Sequence, residues 1–265
     1  MSSNLLSVAP NAEDLEREGQ SLLGQMYARQ PDWVGGAISK YDAGFLAGLV
    51  RHLDARRIIE VGVASGWSSG VMLAAQKGVG HVTGIDLSPT YYLDPSHPTG
   101  AVVSELFPDQ AHRFTLLTGA CAFEVVGQIG SVDFAFIDGH HKHPWAALDL
   151  ISLLPRLERG AWVGLHDLSL CHKPEQNHSN RGPFYLYYMW PGRKLRSTQE
   201  PTMIGAIHLE EEPMDYLPFL CEILHTPWEL DLTPEQKAAF LAFTKAHFDA
   251  TQQSMLRQAI GSSQE

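Results

Sequence analysis

One segment, residues 57–69, constrains the fold of this chain more than any other. It opens with the apolar run Ile58-Ile59 and the acid Glu60, passes through two glycines, Gly62 and Gly66, and ends in hydroxyl residues at the start of a helical pattern. A glycine turn after a buried strand lets a ligand press against bare backbone. The segment therefore predicts a strand, a ligand-binding turn and a helix, in that order.

Strand-like and helix-like segments alternate from this point onward. We predict strands at 57–62, 81–86, 113–118, 132–138 and 161–166, and helices at 67–76, 99–109, 120–128 and 144–157. The largely apolar strands are typical of parallel strands that are buried on both faces. This alternation predicts an α/β fold, a doubly wound and mostly parallel sheet with helices on both faces. Residues 201–209 are predicted to add a late antiparallel strand.

Further helices are predicted outside this alternation. Four segments have the pattern: 10–30, 40–53, 184–190 and a C-terminal helix from the N-cap Thr233 to about residue 258. The apolar stripe of the first is typical of either core or a subunit contact, so a homo-oligomer stays open. We divide the chain into an N-terminal helical extension (1–37), a central domain (38–210) and a C-terminal helical extension packed on that domain (211–265). The polar segment 168–183 is long for a connection, which favours a lid or a substrate loop.

Composition excludes several classes of function. The net charge of −11 argues against a nucleic-acid surface, and the small basic cluster at 193–196 is typical of a solvated turn. No apolar run is long enough to span a membrane, and the polar start of the chain is unlike a signal peptide. The three cysteines are too few and too widely spaced for a disulfide framework. We expect a cytoplasmic protein.

Polar or small residues stand at the carboxyl ends of all five predicted parallel strands. They are Glu60, Asp86, Gly119, Asp138 and the pair His166-Asp167. Ligands of doubly wound sheets bind at this edge, so the convergence predicts one site there. Asp86 lies 26 residues after Glu60, a position suited to a carboxylate that accepts from ribose hydroxyls, although a turn aspartate is the plain alternative.

The glycine spacing favours one ligand class. The glycines follow G-x-x-x-G and not the G-x-G-x-x-G of dinucleotide sites, since Ala64 takes the place of the second glycine. Glu60 adds a carboxylate, which suits a ligand with a cationic end. In these residues the chain resembles the class I S-adenosylmethionine (SAM)-dependent methyltransferases, which have a Rossmann-like fold. An NAD-linked oxidoreductase is a weaker alternative.

The stretches 133–143 and 160–167 are similar to those of metal-dependent small-molecule O-methyltransferases, the group of the catechol-type and bacterial sugar- and antibiotic-tailoring enzymes. The resemblance covers roughly residues 38–210, which would be the SAM-binding domain. It implies these cofactor-binding residues: Glu60, Gly62, Ser65, Gly66, Ser68, Asp86, Gly119, Ala120, Cys121 and Asp138. Glu60 would lie beneath the cofactor near its cationic end, Ser68 or Ser69 would bind its carboxylate, and the turn at Gly119 would lie along the adenine.

The same resemblance implies a divalent metal held by Asp138, His166 and Asp167. Mg²⁺ is the first expectation, and the imidazole of His166 also admits another first-row metal. A divalent ion would lower the pKa of a substrate hydroxyl, and a nearby base would take the proton. His141 is the candidate base, with Lys142 as the catechol-like rival and His140 and His143 as further candidates.

Together these features predict a SAM-dependent methyltransferase that acts on a hydroxyl of a small molecule. Two alternatives stay open: a metal-independent methyltransferase with a histidine base, and a SAM-binding module without catalysis. The acceptor is not specified by the sequence. Aromatic residues at 185–190 would wall an aromatic or sugar pocket, or would belong to the core.

Overall fold

The computed structural model describes residues 11–24 and 26–261. Within these residues seven strands form one sheet: β1 Arg57–Val61, β2 His81–Asp86, β3 Phe114–Thr118, β4 Val132–Ile137, β5 Leu157–Leu165, β6 Lys194–Arg196 and β7 Gly205–His208. Their order is β3-β2-β1-β4-β5-β7-β6. Strands β1 to β5 are parallel, and β7 runs antiparallel to both of its neighbours. The predicted doubly wound sheet with a late antiparallel strand is confirmed.

The helices of the described residues are α1 Ala12–Leu23, α2 Lys40–His52, α3 Trp67–Ala75, α4 Ala101–Leu106, α5 Ala122–Val125, α6 Trp145–Leu153, α7 Gly182–Met189, α8 Leu217–Leu224, α9 Pro234–His247 and α10 Ala250–Gly261. Local sequence explains their starts: Ser39 caps α2 through the N–H of Asp42, and Thr233 and Gln236 form a capping box at α9. The predictions for residues 1–10, Gln25 and 262–265 lie outside the described residues.

Alternate side chains of each central strand enter opposite cores. Ile59, Ala135 and Val163 pack with α5, α6 and the C-terminal helices on one face of the sheet. Ile58 and Phe134 pack with α1 to α4 on the other face. Because successive strand residues point to opposite faces, a fully apolar strand is what a sheet covered on both sides requires. The helical extensions at both ends of the chain therefore share their cores with the sheet.

Several predicted boundaries were wrong. The helix predicted at 10–30 ends at Leu23, and the one predicted at 99–109 ends at Leu106, just before Pro108. The helix predicted from 233 to 258 breaks at Phe248, whose backbone is extended. Strand β5 begins at Leu157 and not at residue 161.

Other elements were missed altogether. Helix α8 was not predicted. The basic cluster is not a solvated turn, because Lys194 and Arg196 belong to β6 and the Lys194 ammonium donates to carbonyls at the end of α7. No helix within the described residues is long and apolar enough to cross a membrane.

Candidate active site

A cavity of about 1100 Å³ opens at the carboxyl ends of the parallel strands. Its walls come from the turns after β1, β2, β3, β4 and β5, from the segment 35–39, and from two loops around residues 169–180 and 200–203. The volume lies just above the usual range for small-molecule sites, so the cavity can hold a nucleoside cofactor together with an acceptor. The predicted location of the site at this edge agrees with the structure.

Two glycines shape the turn after β1. Gly62 has a φ of +90°, and a Cβ on it would lie 2.2 Å from the carbonyl oxygen of Asp138. Gly66 has a φ of +87°, and its Cβ would lie 2.8 Å from the Cα of Gly100. Any side chain would therefore meet both an unfavourable conformation and neighbouring backbone. The glycines let the ends of β1 and β4 approach each other beside the cavity.

Asp86, at the end of β2, lines the cavity and also fixes the glycine turn. Its Oδ2 accepts from the N–H groups of Val63 and Ala64 at 2.9 and 3.0 Å, and its Oδ1 accepts from Ser88 at 2.8 Å. Ala64 sits in the left-handed region with a φ of 48°, and the bond to Asp86 helps to hold it there. The carboxylate thus orders the turn at the position where ribose contacts were predicted.

Glu60 is not in the crevice. It is fully buried behind the turn, and the hydroxyls of Ser68 and Ser69 donate to its carboxylate. Burial raises the pKa of Glu60 to about 8, against the opposing effect of the two hydroxyl donors. This corrects two expectations: Glu60 does not line the cavity, and the Ser68 hydroxyl is engaged by Glu60 and not free for a ligand. Ser65 and Ser68 still line the cavity wall.

The turn after β3 is open, as its small residues predict. Gly119 has a φ of +79°, and a Cβ there would meet nothing within 4 Å. Ala120 and Cys121 line the cavity, whereas Gly119 does not. The Cys121 N–H donates to Glu124 at 2.7 Å, and burial raises the pKa of the Cys121 thiol to about 12. The thiol is therefore a neutral, apolar part of the wall.

Three side chains form a carboxylate–histidine cluster on the other side of the cavity: Asp138, His141 and Asp167. One ligand atom from each lies within 4.8 Å of the others. The His141 Nε2 is 2.9 Å from Asp167 Oδ2 and 3.6 Å from Asp138 Oδ1. Burial by itself would lower the pKa of His141, but the two carboxylates outweigh it and raise the pKa to about 9.

His166, the predicted third ligand, lies beside this cluster and contacts both of its aspartates, with its Nδ1 3.6 Å from Asp167 Oδ1, although its ring is not one of the three groups whose ligand atoms converge. Its Nδ1 is 3.2 Å from Asp138 Oδ1, and its Nε2 faces Asp42 Oδ2 at 3.6 Å. The carboxylates around it raise the pKa of His166 well above its usual value, although burial opposes them. His166 is thus held between Asp42 of α2 and Asp138 after β4, and His141 contacts the two aspartates from the cavity side.

The other base candidates are not brought to the cluster. Lys142 does not line the cavity. His143 is buried with its Nε2 2.9 Å from the Thr226 hydroxyl, and burial lowers its pKa to about 4. His140 lines the cavity but is exposed, and burial of part of its ring lowers its pKa. His141 is the candidate base that the geometry supports.

The aromatic residues at 185–190 do not wall the pocket. Tyr187 and Trp190 are buried in the core, and Tyr188 is partly exposed outside the cavity. Of the two predictions for this segment, a pocket wall or a part of the core, the second agrees with the structure. The polar loop does reach the site, since Ser169, His172 and Asn180 line the cavity.

Comparison with known proteins identifies the central part of the fold. Residues 59–168 match the model of a family described as a methyltransferase domain. The chain carries a methyltransferase domain. This confirms the resemblance to class I methyltransferases, and no curated protein sequence matches the chain.

Solved structures share the fold of the methyltransferase domain and its surroundings. The O-methyltransferase TomG from Streptomyces achromogenes, in complex with SAM, is 20% identical with a TM-score of 0.51, over 77% of this chain and 92% of its own. An O-methyltransferase from Bacillus cereus, in complex with S-adenosylhomocysteine (SAH), is 19% identical with a TM-score of 0.51, over 76% and 93%. A SAH-bound Podospora anserina methyltransferase is 14% identical with a TM-score of 0.52, over 78% and 100%.

Residues outside 59–168 complete the site of the methyltransferase domain. Asp42 of α2 accepts from the Met203 N–H at 2.9 Å while it faces His166. Glu229, which follows α8, accepts from the N–H groups of His143 and Arg181 at 2.8 Å each. Asp42 therefore supports His166 beside the cluster, and Glu229 supports the loop that carries His141. Sequence analysis missed both, because nothing in their local sequence marks them as close to the site.

Proposed function

We propose that the protein transfers the methyl group of SAM to a hydroxyl of a small molecule, assisted by a divalent metal ion. One observation carries the proposal: the carboxylate–histidine cluster faces the same cavity as the glycine turn and Asp86, within a methyltransferase domain. Two structural neighbours are named O-methyltransferases, which supports oxygen as the acceptor atom.

The cofactor is assigned to the β1–β3 side of the cavity. The glycines at 62 and 66 leave the backbone of this turn accessible, so a ligand can approach it closely. The Asp86 carboxylate has a free lone pair that can accept a hydrogen bond from a ribose hydroxyl. From there the methyl group would reach the cluster at the ends of β4 and β5. A cavity of this size leaves room for the acceptor below the loops at 169–180 and 200–203.

The cluster fits a divalent ion. Two carboxylates and one imidazole nitrogen lie close enough together to share a single cation, with Asp138, His141 and Asp167 as its ligands. An all-oxygen set would favour Mg²⁺, and the nitrogen of His141 extends the choice to other first-row metals. Such an ion would lower the pKa of a bound hydroxyl and would favour acceptors with two neighbouring oxygens that chelate it.

The protein itself supplies orientation and charge. Asp138 and Asp167 hold the His141 imidazole by its Nε2, and His166 holds Asp138 from behind. The loop contacts of Glu229 fix the backbone next to His141. The cluster is therefore preorganised for a positive charge, whether an ion or a proton, before the acceptor arrives.

A metal-independent methyltransferase is the second candidate, and one contact favours it. The His141 Nε2 and Asp167 Oδ2 lie 2.9 Å apart, a geometry in which His141 can accept the substrate proton and Asp167 can stabilise the imidazolium. With a pKa of about 9, His141 would be mostly protonated at neutral pH. This mechanism therefore predicts an activity that rises from pH 7 to pH 9.

Calorimetric titration of SAM into the purified protein, before and after chelator treatment, tests the proposal. Elemental analysis of the untreated protein accompanies it. Saturable SAM binding together with about one bound divalent ion per chain supports the metal-assisted enzyme. The ion should be lost in Asp167→Ala and retained in Glu222→Gln, a control at an exposed position. SAM binding without a metal favours the histidine base, and tight binding with no turnover of any hydroxyl compound favours a SAM-binding module. Absence of SAM binding contradicts the proposal.

A further inference from the structure

A buried carboxyl group of the N-terminal helix binds a loop near the other end of the sheet. Glu16 of α1 is 1% exposed. Its Oε1 accepts from the Ser197 hydroxyl at 2.6 Å and from the Thr198 N–H at 2.7 Å, and its Oε2 accepts from the Thr198 hydroxyl at 2.9 Å. A buried carboxyl group is unfavourable unless donors satisfy it, and these three contacts do so. Glu16 thus fixes the start of the β6–β7 loop, residues 197–204, on α1.

Helix α1 is a firm support for this loop because it packs against the backbone of α2. A Cβ on Gly19 would lie 1.8 Å from the Gly44 carbonyl oxygen, and one on Gly48 would lie 1.9 Å from the Leu15 carbonyl oxygen. Neither glycine can be given a side chain unless a helix moves, since close-packed backbone leaves no space for it. The place of Glu16 is therefore set relative to α2, the helix that carries Asp42.

The other end of the β6–β7 loop lies beside the carboxylate–histidine cluster. The Met203 N–H donates to Asp42 at 2.9 Å, and the Met203 carbonyl accepts from the Leu168 N–H at 2.9 Å. Leu168 directly follows Asp167 of the cluster. Residues 200–203, which lead from the end held by α1 to this end, line the cavity. This stretch of the cavity wall is therefore fixed at two points, one of which is the N-terminal helix.

The position of the loop in the sheet assigns it to the acceptor half of the cavity. Strand β7 pairs with β5, whereas β2 and β3 lie beyond β1 on the other side of β4. Because the cofactor is assigned to the β1–β3 side, residues 200–203 border the space that is left for the acceptor. A misplacement of about 1 Å is enough to weaken a reaction strongly even when its cause is far from the reacting atoms. A residue that holds this loop can therefore control the acceptor.

We propose that Glu16 is a positioning residue of the acceptor site: by holding the β6–β7 loop it sets the place of residues 200–203 against the acceptor. Glu16 itself does not line the cavity, so it acts through the loop and not by contact. The inference rests on the proposed function, because it takes the acceptor to bind beside the carboxylate–histidine cluster. Glu16 lies outside residues 59–168, which match the methyltransferase domain, so its role adds the N-terminal helix to the elements that select the acceptor.

Steady-state kinetics and SAM calorimetry test this role. Caffeate is the first acceptor probe, because its two neighbouring hydroxyls can chelate a divalent ion, and other compounds with neighbouring hydroxyls extend the set. Glu16→Ala should raise the KM for the acceptor about 10-fold, while kcat and the affinity for SAM change less than about 3-fold. Glu16→Gln keeps an oxygen that accepts from Ser197 and Thr198, and should bring the KM back to within about 3-fold of the wild type. The control Glu18→Ala, at an exposed position of α1, should match the wild type.

Hydrogen exchange followed by mass spectrometry separates positioning from a general loss of stability. In Glu16→Ala the amides of 197–203 should exchange about 10-fold faster or more, whereas those of β1 should not change. If the wild-type protein is active, three results would overturn the inference and leave the proposed function standing: an unchanged acceptor KM in Glu16→Ala, unchanged exchange at 197–203, or an equal loss of SAM affinity. Failure of the wild-type protein to methylate any of the hydroxyl compounds would overturn both.

Discussion

The two sides of the cavity are built in different ways. On the β1 side the glycine turn is a continuous segment whose shape comes from backbone, with Asp86 as its main outside support. On the β4–β5 side the cluster consists of charged side chains that are held by remote elements, by Asp42 of α2 and Glu229 after α8. The β1 side therefore leaves no room for added side chains at its glycines. The β4–β5 side depends on contacts with residues that are distant in sequence.

The largest expected effect is on the backbone side. Gly62→Ala places a Cβ 2.2 Å from the Asp138 carbonyl at a φ of +90°, and should cost about 3 kcal/mol or more of folding stability. Gly119→Ala is the matched control, because it has a φ of +79° but open space around it, and should cost about 1 kcal/mol. Urea unfolding measures both. Equal losses of stability in the two variants would show that Gly62 is needed only for its positive φ and not for its close contact with Asp138.

On the side of charged residues, Asp167→Asn keeps the shape and removes the charge that faces His141 and His166. We expect kcat to fall about 100-fold while the affinity for SAM changes less than about 3-fold. Steady-state kinetics and calorimetry separate the two quantities. An equal fall in SAM affinity would mean that the two sides of the cavity do not act independently.

The buried carboxyl group of Glu60 makes the stability of the β1 side depend on pH. Folding raises its pKa from 4.5 to about 8, so its contribution to stability is complete below pH 4.5 and is lost as the pH rises through about 8. Glu60→Gln lacks this loss. Relative to the wild type, the variant should therefore gain about 3 kcal/mol between pH 5.5 and pH 8 in urea unfolding.

The exposed Glu222→Gln should show no such trend. A Glu60→Gln difference that stays constant across this pH range would contradict a buried carboxyl with a raised pKa.

The smallest effect is expected at Glu229. Glu229→Gln can keep one backbone contact but weakens the pairing with Arg181, whose Nε lies 3.2 Å from Oε1. We expect a loss of about 1 kcal/mol in stability and a fall of several-fold in kcat, with SAM affinity unchanged. Faster hydrogen exchange at 140–143 would show that the loop of His141 has loosened. An unchanged exchange rate would show that Glu229 does not hold this loop.

Much of the fold could be predicted because strand and turn patterns are local. The runs 57–62 and 132–138 are apolar on both faces, and the glycines at 62 and 66 mark a turn whose geometry excludes side chains. The errors lie where a short helix depends on packing, as at α8, or where a long pattern conceals a break, as at Phe248. Helix patterns report amphipathicity and do not report where the backbone turns.

The amino-acid sequence alone was enough to predict a doubly wound, mostly parallel sheet, the glycine turn and the set of polar strand ends that meet at one edge, because neighbouring parallel strands bring their carboxyl ends together. Packing in three dimensions, by contrast, places Glu60 behind the turn, brings His141 to Asp138 and Asp167 beside His166, and adds Asp42, Asp149 and Glu229 around the site. The physical reason is that these outcomes depend on side-chain direction and on which remote donor satisfies a buried charge. Neither is encoded in the spacing of residues along the chain.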